Sequence, residues 1–298
     1  MAPDQDPVPA FDLLGPETPR SPVLLAVPHA GRIYPDEVVA RARVPMNRLR
    51  ALEDRYADRL VMQAVAEGHT AIVARIARAA IDLNRDQREI DPAMMDEGMQ
   101  PEALLPTGKV RAGLGLFPRR LPACGELWRG RMSRAEADSR IAGIYQPYHS
   151  AIAERLQATV AVFGAAVLLD CHSMPPLPVR QPGGPVRVVI GDRFGAGASA
   201  ALVDLVLAMI EGAGLRAARN HPYAGGHSID RHGRPHRNIH AIQIEYDRSL
   251  YLDAALESPA AGLGDCARLL AGIAAQLGAS LYPGLYPGLY PGLSVAAE

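Results

Sequence analysis

Residues 168–173, Leu168-Leu169-Asp170-Cys171-His172-Ser173, put a carboxylate, a thiol, an imidazole and a hydroxyl in succession. The apolar run 165–169 before them reads as a buried strand. Parallel strands of an α/β sheet present chemistry at their carboxyl ends, where loops line a crevice. Two further segments repeat this grammar: residues 23–27 run into Pro28-His29-Ala30-Gly31, and residues 241–244 deliver Glu245. Two histidines and a carboxylate at or near strand tips suggest a metal-assisted hydrolase.

A hydrolytic zinc site takes three protein ligands and leaves one position for water. His29 and His172 are the leading nitrogen ligands, with Asp170 and Ser173 placed to orient the His172 ring. A carboxylate third ligand could come from Glu53, Asp54 or Asp58, and Asp170 stays open as a ligand itself. Asp54 and Asp58 share one face of a predicted helix. In competition, His29 between Pro28 and Gly31 could serve a turn, and the acids could serve the helix dipole or pair with Arg55 or Arg59.

Glu245 is the candidate general base, because partial burial raises a carboxyl pKa towards the range where it takes a proton from water. Its structural alternative is an ion pair with Arg248. Asn84-Arg85 reads either as a clamp on a substrate carboxylate, through a guanidinium fork and a neighbouring amide, or as an ion pair with Asp82 or Asp86. Arg231 and His232, in a Gly- and His-rich segment, could supply a second anion contact or stabilise an oxyanion. Cys171 could be a nucleophile assisted by a histidine. His69, after a glycine at a helix end, reads as a surface residue, and His149 as one packed along a helix.

The elements that must position these groups alternate. Strands are expected at 22–28, 70–76, 165–169, 186–190, 215–219 and 241–246; helices at 47–67 (stopped by Gly68), 134–163 (broken near Pro147), 198–212 and 259–281. This order predicts one α/β domain over 21–281 with a mostly parallel sheet. Residues 91–131, with Pro and Gly at close intervals, read as a cover over the site, and 224–238 as a polar loop above it. Residues 1–20 look like a loose leader. The tail 282–298 repeats Leu-Tyr-Pro-Gly with proline at every turn, which excludes a helix and leaves an extended arm, a contact in a homo-oligomer or a replication artefact.

Composition limits the function classes. With 48% hydrophobic and 21% charged residues over 298 positions, the chain can fill a core and is not expected to be disordered. Its 31 basic and 32 acidic residues nearly cancel without a long basic block, so no nucleic-acid partner is expected. Three cysteines without a CxxC spacing fit reduced thiols rather than a disulfide framework. The acidic start lacks a signal core and no run of eighteen apolar residues occurs, so a cytoplasmic protein without membrane spans is expected.

Taken in order, VPHAGRIYP at 27–35, DRYADRL at 54–60, IDLNRD at 81–86, GELWRGRM at 125–132, YQPYH at 145–149, LDCHSM at 169–174, NHPYAGG at 220–226 and HAIQIEYDRSLY at 240–251 resemble the N-formylglutamate amidohydrolase family. The resemblance runs over about residues 22–280. It implies a single domain similar to zinc carboxypeptidases, a mixed sheet sandwiched between helices, and hydrolysis of a small N-acyl amino acid. Carried over by position, His29, Asp54 and His172 look like metal ligands, Glu245 like the base and later the acid, and Asn84 with Arg85 like the clamp on the α-carboxylate. Arg231 is the expected second cation for a side-chain carboxylate. The HxxE pair of carboxypeptidases is missing, since Arg32 stands three residues after His29. The competing expectations are an aminoacylase or carboxypeptidase-like enzyme for larger substrates, and a non-catalytic binder of a carboxylated metabolite.

Overall fold

The structure, a computed structural model, describes residues 8–96, 103–179 and 184–285. Most of the Leu-Tyr-Pro-Gly tail and six positions of the proposed cover lie outside these residues. Strands β1 (Phe11–Leu14), β2 (Val23–Val27) and β3 (Thr70–Ala74) precede a small hairpin, β4 (Arg120–Leu121) and β5 (Gly125–Glu126). Then come β6 (Ala166–Met174), β7 (Val188–Gly191), β8 (Ala217–Arg219) and β9 (Ile239–Asp247). Seven of them form one sheet in the order β1-β3-β2-β6-β9-β7-β8. β3, β2, β6 and β9 run parallel; β7 is antiparallel to β9 and parallel to β8, and β1 closes the other edge antiparallel to β3.

Both faces of this mixed, mostly parallel sheet are apolar, as strands covered on two sides must be. Val23, Leu25, Val27, Val167, Leu169, Ile242 and Ile244 join one core layer with helices Met62–Ala66, Ala200–Gly212 and Leu263–Leu281. Leu24, Ala26, Leu168 and Ala241 face the second layer, built on helix Gln146–Phe163 through Tyr148, Ile152 and Leu156. The α/β class and helix-covered sheet expected from the alternating pattern are therefore present. Among the described residues no helix is long and apolar enough to cross a membrane.

Five local expectations change. Phe11–Leu14, assigned by composition to a loose leader, pairs with Ala71–Ala74 as the edge strand. The helix expected over 47–67 is three short turns, Met46–Arg50, Ala57–Leu60 and Met62–Ala66, interrupted where Tyr56 adopts φ 59°. There the Asp54 N–H donates to the His29 carbonyl at 2.9 Å, a tertiary bond that replaces a helical one. His69 is fully buried rather than on the surface. Residues 227–232, taken as loop, form a helical segment, His227–His232. The helix expected over 134–163 runs through Pro147 without the expected break, but its hydrogen-bond ladder shifts just before it. A π-helical turn, Ile141–Tyr145, precedes Gln146–Phe163, because Pro147 has no N–H to continue the regular ladder.

A buried histidine–carboxylate centre at the strand ends

Register builds the floor of the site. In the β6–β9 pair Asp170 lies beside Gln243 and His172 beside Glu245. Side chains alternate along a strand, so these four share a face with Leu168 and Ala241, which is apolar deeper in the sheet. β6 continues to Met174, past the expected end at Leu169, so His172 stands within the strand rather than beyond it. Cys171 necessarily points the other way, into the apolar layer beside Leu169 and Ile244. Burial pushes its thiol well above the usual range, with Asp170 adding to the shift. The nucleophilic-cysteine alternative therefore has no geometry behind it.

His29 arrives on the turn after β2, and Asp54 on the interrupted helical segment. The two imidazole centroids lie 4.7 Å apart. Asp54 Oδ2 is 3.4 Å from His29 Nδ1 and 3.1 Å from His172 Nδ1. Each ring is held from behind: His29 Nε2 donates to Asp82 Oδ1 at 2.7 Å, and His172 Nε2 to Asp170 Oδ2 at 3.0 Å. These bonds leave the two Nδ1 lone pairs facing one carboxylate oxygen, and His29 Nδ1 is buried without a hydrogen-bond partner among the described residues. One ligand atom from each of His29, Asp54 and His172 lies within 4.8 Å of the others. Such a cluster of lone pairs can hold a metal ion, and carboxylates behind the rings are the usual support for metal-binding imidazoles.

Electrostatics agree with the donor set. Burial disfavours a charged His172, but Asp170, Asp54 and Glu245 outweigh it and hold the ring well above the ordinary histidine value. Burial likewise opposes an ionised Asp54, and His172 and His29 overcome it, keeping the carboxyl well below its usual range. Asp82 stays ionised in the same way, through Arg78, His29 and Arg85. The two rings stand among Asp54, Asp82 and Asp170, so the cluster favours a positive charge at its centre.

Of the three expected acids only Asp54 reaches the histidines. Asp58 pairs with Arg32 at 2.8 Å, and Glu53 accepts from Tyr34 and Arg55. Asp54 Oδ1 accepts from Ser173 Oγ at 3.1 Å and Arg248 Nη2 at 3.0 Å. Ser173 thus orients Asp54, not the His172 ring as expected. Arg248, the alternative partner for Glu245, is committed to Asp54.

These groups open into a cavity of about 300 Å³ that Glu245, Asn84 and Arg85 also line. Burial raises the Glu245 carboxyl to about 7, with Asp54 adding and His172, Arg78 and Arg248 opposing. Gln243 Nε2 donates to it at 2.8 Å. Asn84 is more engaged than a free clamp would be. Its Oδ1 accepts from Ser228 N at 2.8 Å, and its Nδ2 lies 3.2 Å from His172 Nε2 and 3.3 Å from Gln243 Oε1. Arg85 donates to the carbonyls of Leu114 and Asn84, both at 2.9 Å, and its Nε stands 3.7 Å from Asp82. The Asn84–Arg85 backbone is fixed from beneath by His149, which donates to Leu83 O, and by Tyr145, which donates to Arg85 O.

Arg231 is not at this cavity. Its guanidinium sits 5.7 Å from the Tyr145 ring centroid and lines an adjoining cavity, because the helical turn at 227–232 carries it outward. His232 is buried, 2.9 Å from His149 Nδ1. Sequence reasoning passed over Gln243 and the support role of Asp82. For Gln243 the signal was present: it precedes Glu245 by two, as Asp170 precedes His172, and a strand period of two puts each pair on one face. The segment read as a cover does supply Lys109, Leu114 and Leu121 to the cavity wall.

A sequence model of the N-formylglutamate amidohydrolase family matches residues 21–252. The chain is 30% identical over 263 residues to an N-formylglutamate deformylase of Pseudomonas aeruginosa, covering 87% of this chain and 91% of that one. An N-formylglutamate deformylase of Pseudomonas putida is 28% identical over 237 residues, covering 78% and 83%. Among solved structures, the N-formylglutamate amidohydrolase from Ralstonia eutropha JMP134 superposes with a TM-score of 0.85 at 33% identity, covering 93% of this chain and all of that one. With the ordered motifs and the strand-end centre they build, these likenesses show that the chain belongs to the N-formylglutamate amidohydrolase family.

Proposed function

We propose that the chain is a metal-dependent amidohydrolase that cleaves N-formyl-L-glutamate, or a closely related N-acyl amino acid, to formate or another carboxylate and the free amino acid. The observation that carries the reading is the convergence of His29 Nδ1, His172 Nδ1 and Asp54 Oδ2 beside a buried carboxyl at about 7. Two imidazoles and one carboxylate are the donor set of hydrolytic zinc, so His29, Asp54 and His172 would hold Zn²⁺. Bound there, the ion would polarise the amide carbonyl and make a neighbouring water more acidic. Glu245 takes the proton from the attacking water and returns it to the departing nitrogen. Gln243 keeps that carboxylate aimed into the cavity, and Asp82 and Asp170 hold the two rings in the tautomer that leaves Nδ1 free to bind. Arg85, fixed on two carbonyls, binds the α-carboxylate and so brings the amide to Glu245. Asn84 acts chiefly as a positioning residue between His172, Gln243 and the segment at Ser228.

Metal analysis joined to a formate-release assay on N-formyl-L-glutamate tests the reading. One metal ion per chain, with turnover lost on chelation and restored by Zn²⁺, is expected. Metal-free protein with full turnover would refute the scheme.

A further inference from the structure

Among the described residues four side-chain cations line the catalytic cavity. Two are paired with carboxylates of the protein, and a third is oriented by neutral carbonyls, which do not neutralise its charge. Arg78 binds Asp82 at 2.8 Å, Arg248 binds Asp54 at 3.0 Å, and Arg85 is held on two backbone carbonyls. Among the described residues, Lys109 alone of the four has no hydrogen bond or ion pair from its ammonium. It stands on the short helix Gly108–Arg111, which is anchored by the buried Val110 and by Thr107, the cap that accepts from Val110 N and donates to Glu89. Lys109 also lines the adjoining cavity, so the residue stands at the junction between the two.

Four carboxylates face these four cations: Asp54 and Glu245 in the wall, and Asp82 and Asp170 behind the histidines. A divalent ion at the histidines would therefore leave two positive charges for the substrate to neutralise. One is met by an α-carboxylate at Arg85. We propose that Lys109 is the specificity-determining residue that binds a second carboxylate, making the site selective for amino acids with an acidic side chain. This assignment rests on the amidohydrolase reading for the position of the α-carboxylate, and gives Lys109 the role that sequence reasoning gave Arg231. Lys109 is solvent-exposed at the cavity rim, and desolvation of its stem, with Arg85 and Arg78 adding like charge, lowers its pKa against the pull of Asp82 and Glu245.

The test compares kcat/KM for N-formyl-L-glutamate and N-formyl-L-glutamine, which differ in one charge at nearly equal size. In Lys109→Gln the glutamate-over-glutamine ratio is expected to fall about 10- to 100-fold, the worth of one charge-assisted hydrogen bond, mostly through KM. Lys109→Arg is expected to restore most of the ratio, and Arg231→Gln to leave it within about threefold. An unchanged ratio in Lys109→Gln, an equal loss for both substrates, or collapse in Arg231→Gln instead would overturn the assignment. Calorimetric binding of L-glutamate and L-glutamine to the same proteins separates this inference from the one beneath it. If no formyl substrate is turned over, the amidohydrolase reading falls, while a glutamate preference lost in Lys109→Gln still supports the assignment and its absence still overturns it.

Discussion

Burial that holds the Glu245 carboxyl at about 7 has a cost and a use. The group is less often ionised than a surface glutamate, but when ionised it is a stronger base towards water. Glu245→Gln keeps the side-chain volume and removes the base, so kcat is expected to fall about 10²- to 10⁴-fold while metal content stays at that of the wild type. Formate release and metal analysis on the same sample check both halves. On the proposed mechanism the ionised form is the base, so activity is expected to be lost as pH falls through the Glu245 pKa. A bound divalent ion favours the carboxylate, so the acid limb of kcat/KM is expected at or below pH 7. The carboxylates behind the rings make a separate prediction: Asp82→Asn or Asp170→Asn should weaken metal binding about 10- to 100-fold, read by competition with a chelator. His29, His172 and Glu245 were legible because each follows an apolar run. Arg231 misled because sequence shows a cation near the right segment but not the direction in which a helical turn carries it.

At the scale of elements, the crowding of Asn84 against the segment 225–228 is the contact that holds the substrate-facing loops together. Gly226 touches the Asn84 carboxamide so closely that a Cβ there would collide with it. Asn84 cannot move aside without losing Ser228 N and Gln243. Gly226→Ala is therefore expected to cut activity at least tenfold and to destabilise the fold by about 1–3 kcal/mol, by overpacking. Gly143→Ala, in a helical segment where a Cβ meets nothing within 4 Å, serves as the control and should be neutral or stabilising by up to about 1 kcal/mol in denaturant melts. The same scale shows where sequence ran out. The central strands follow from continuous apolar runs, since both their faces are buried, and the helices after 134 from an apolar face at helical spacing. The interruption at Tyr56 does not, because its cause is the Asp54-to-His29 backbone bond between segments 25 residues apart in sequence. The edge strand Phe11–Leu14 was hidden by the prolines and acids around it, and its pairing with β3 is a long-range gain that local composition does not encode.

For the whole molecule, the two apolar layers bury more than aliphatic side chains, and the buried histidines set how the fold answers acid. Burial lowers His69 to about 4, with Glu67 and a backbone bond to Val23 opposing. An unfolded histidine titrates at 6.5. Since the folded value lies below the unfolded one, the unfolded chain binds the extra proton between pH 6.5 and about 4, and stability is lost over that window as pH falls. Above 6.5 neither state is protonated and the contribution is absent. At about 1.4 kcal/mol per pH unit, the loss from His69 reaches roughly 3 kcal/mol by pH 4. Glu245 acts in the opposite sense, because its raised pKa makes the folded state take up a proton first, from about 7 down to its unfolded 4.5. The raw stability curve therefore mixes gains and losses, and only a difference isolates the histidine. His69→Gln keeps a hydrogen-bonding side chain and removes the titration. Its deficit relative to the wild type, measured in urea at fixed metal concentration, is expected to be constant above pH 7 and to shrink by roughly 3 kcal/mol between pH 6.5 and pH 4. A deficit that stays flat across this range would mean that His69 takes its proton in the folded state without strain, and that the layer beneath β3 is wetter than its packing indicates.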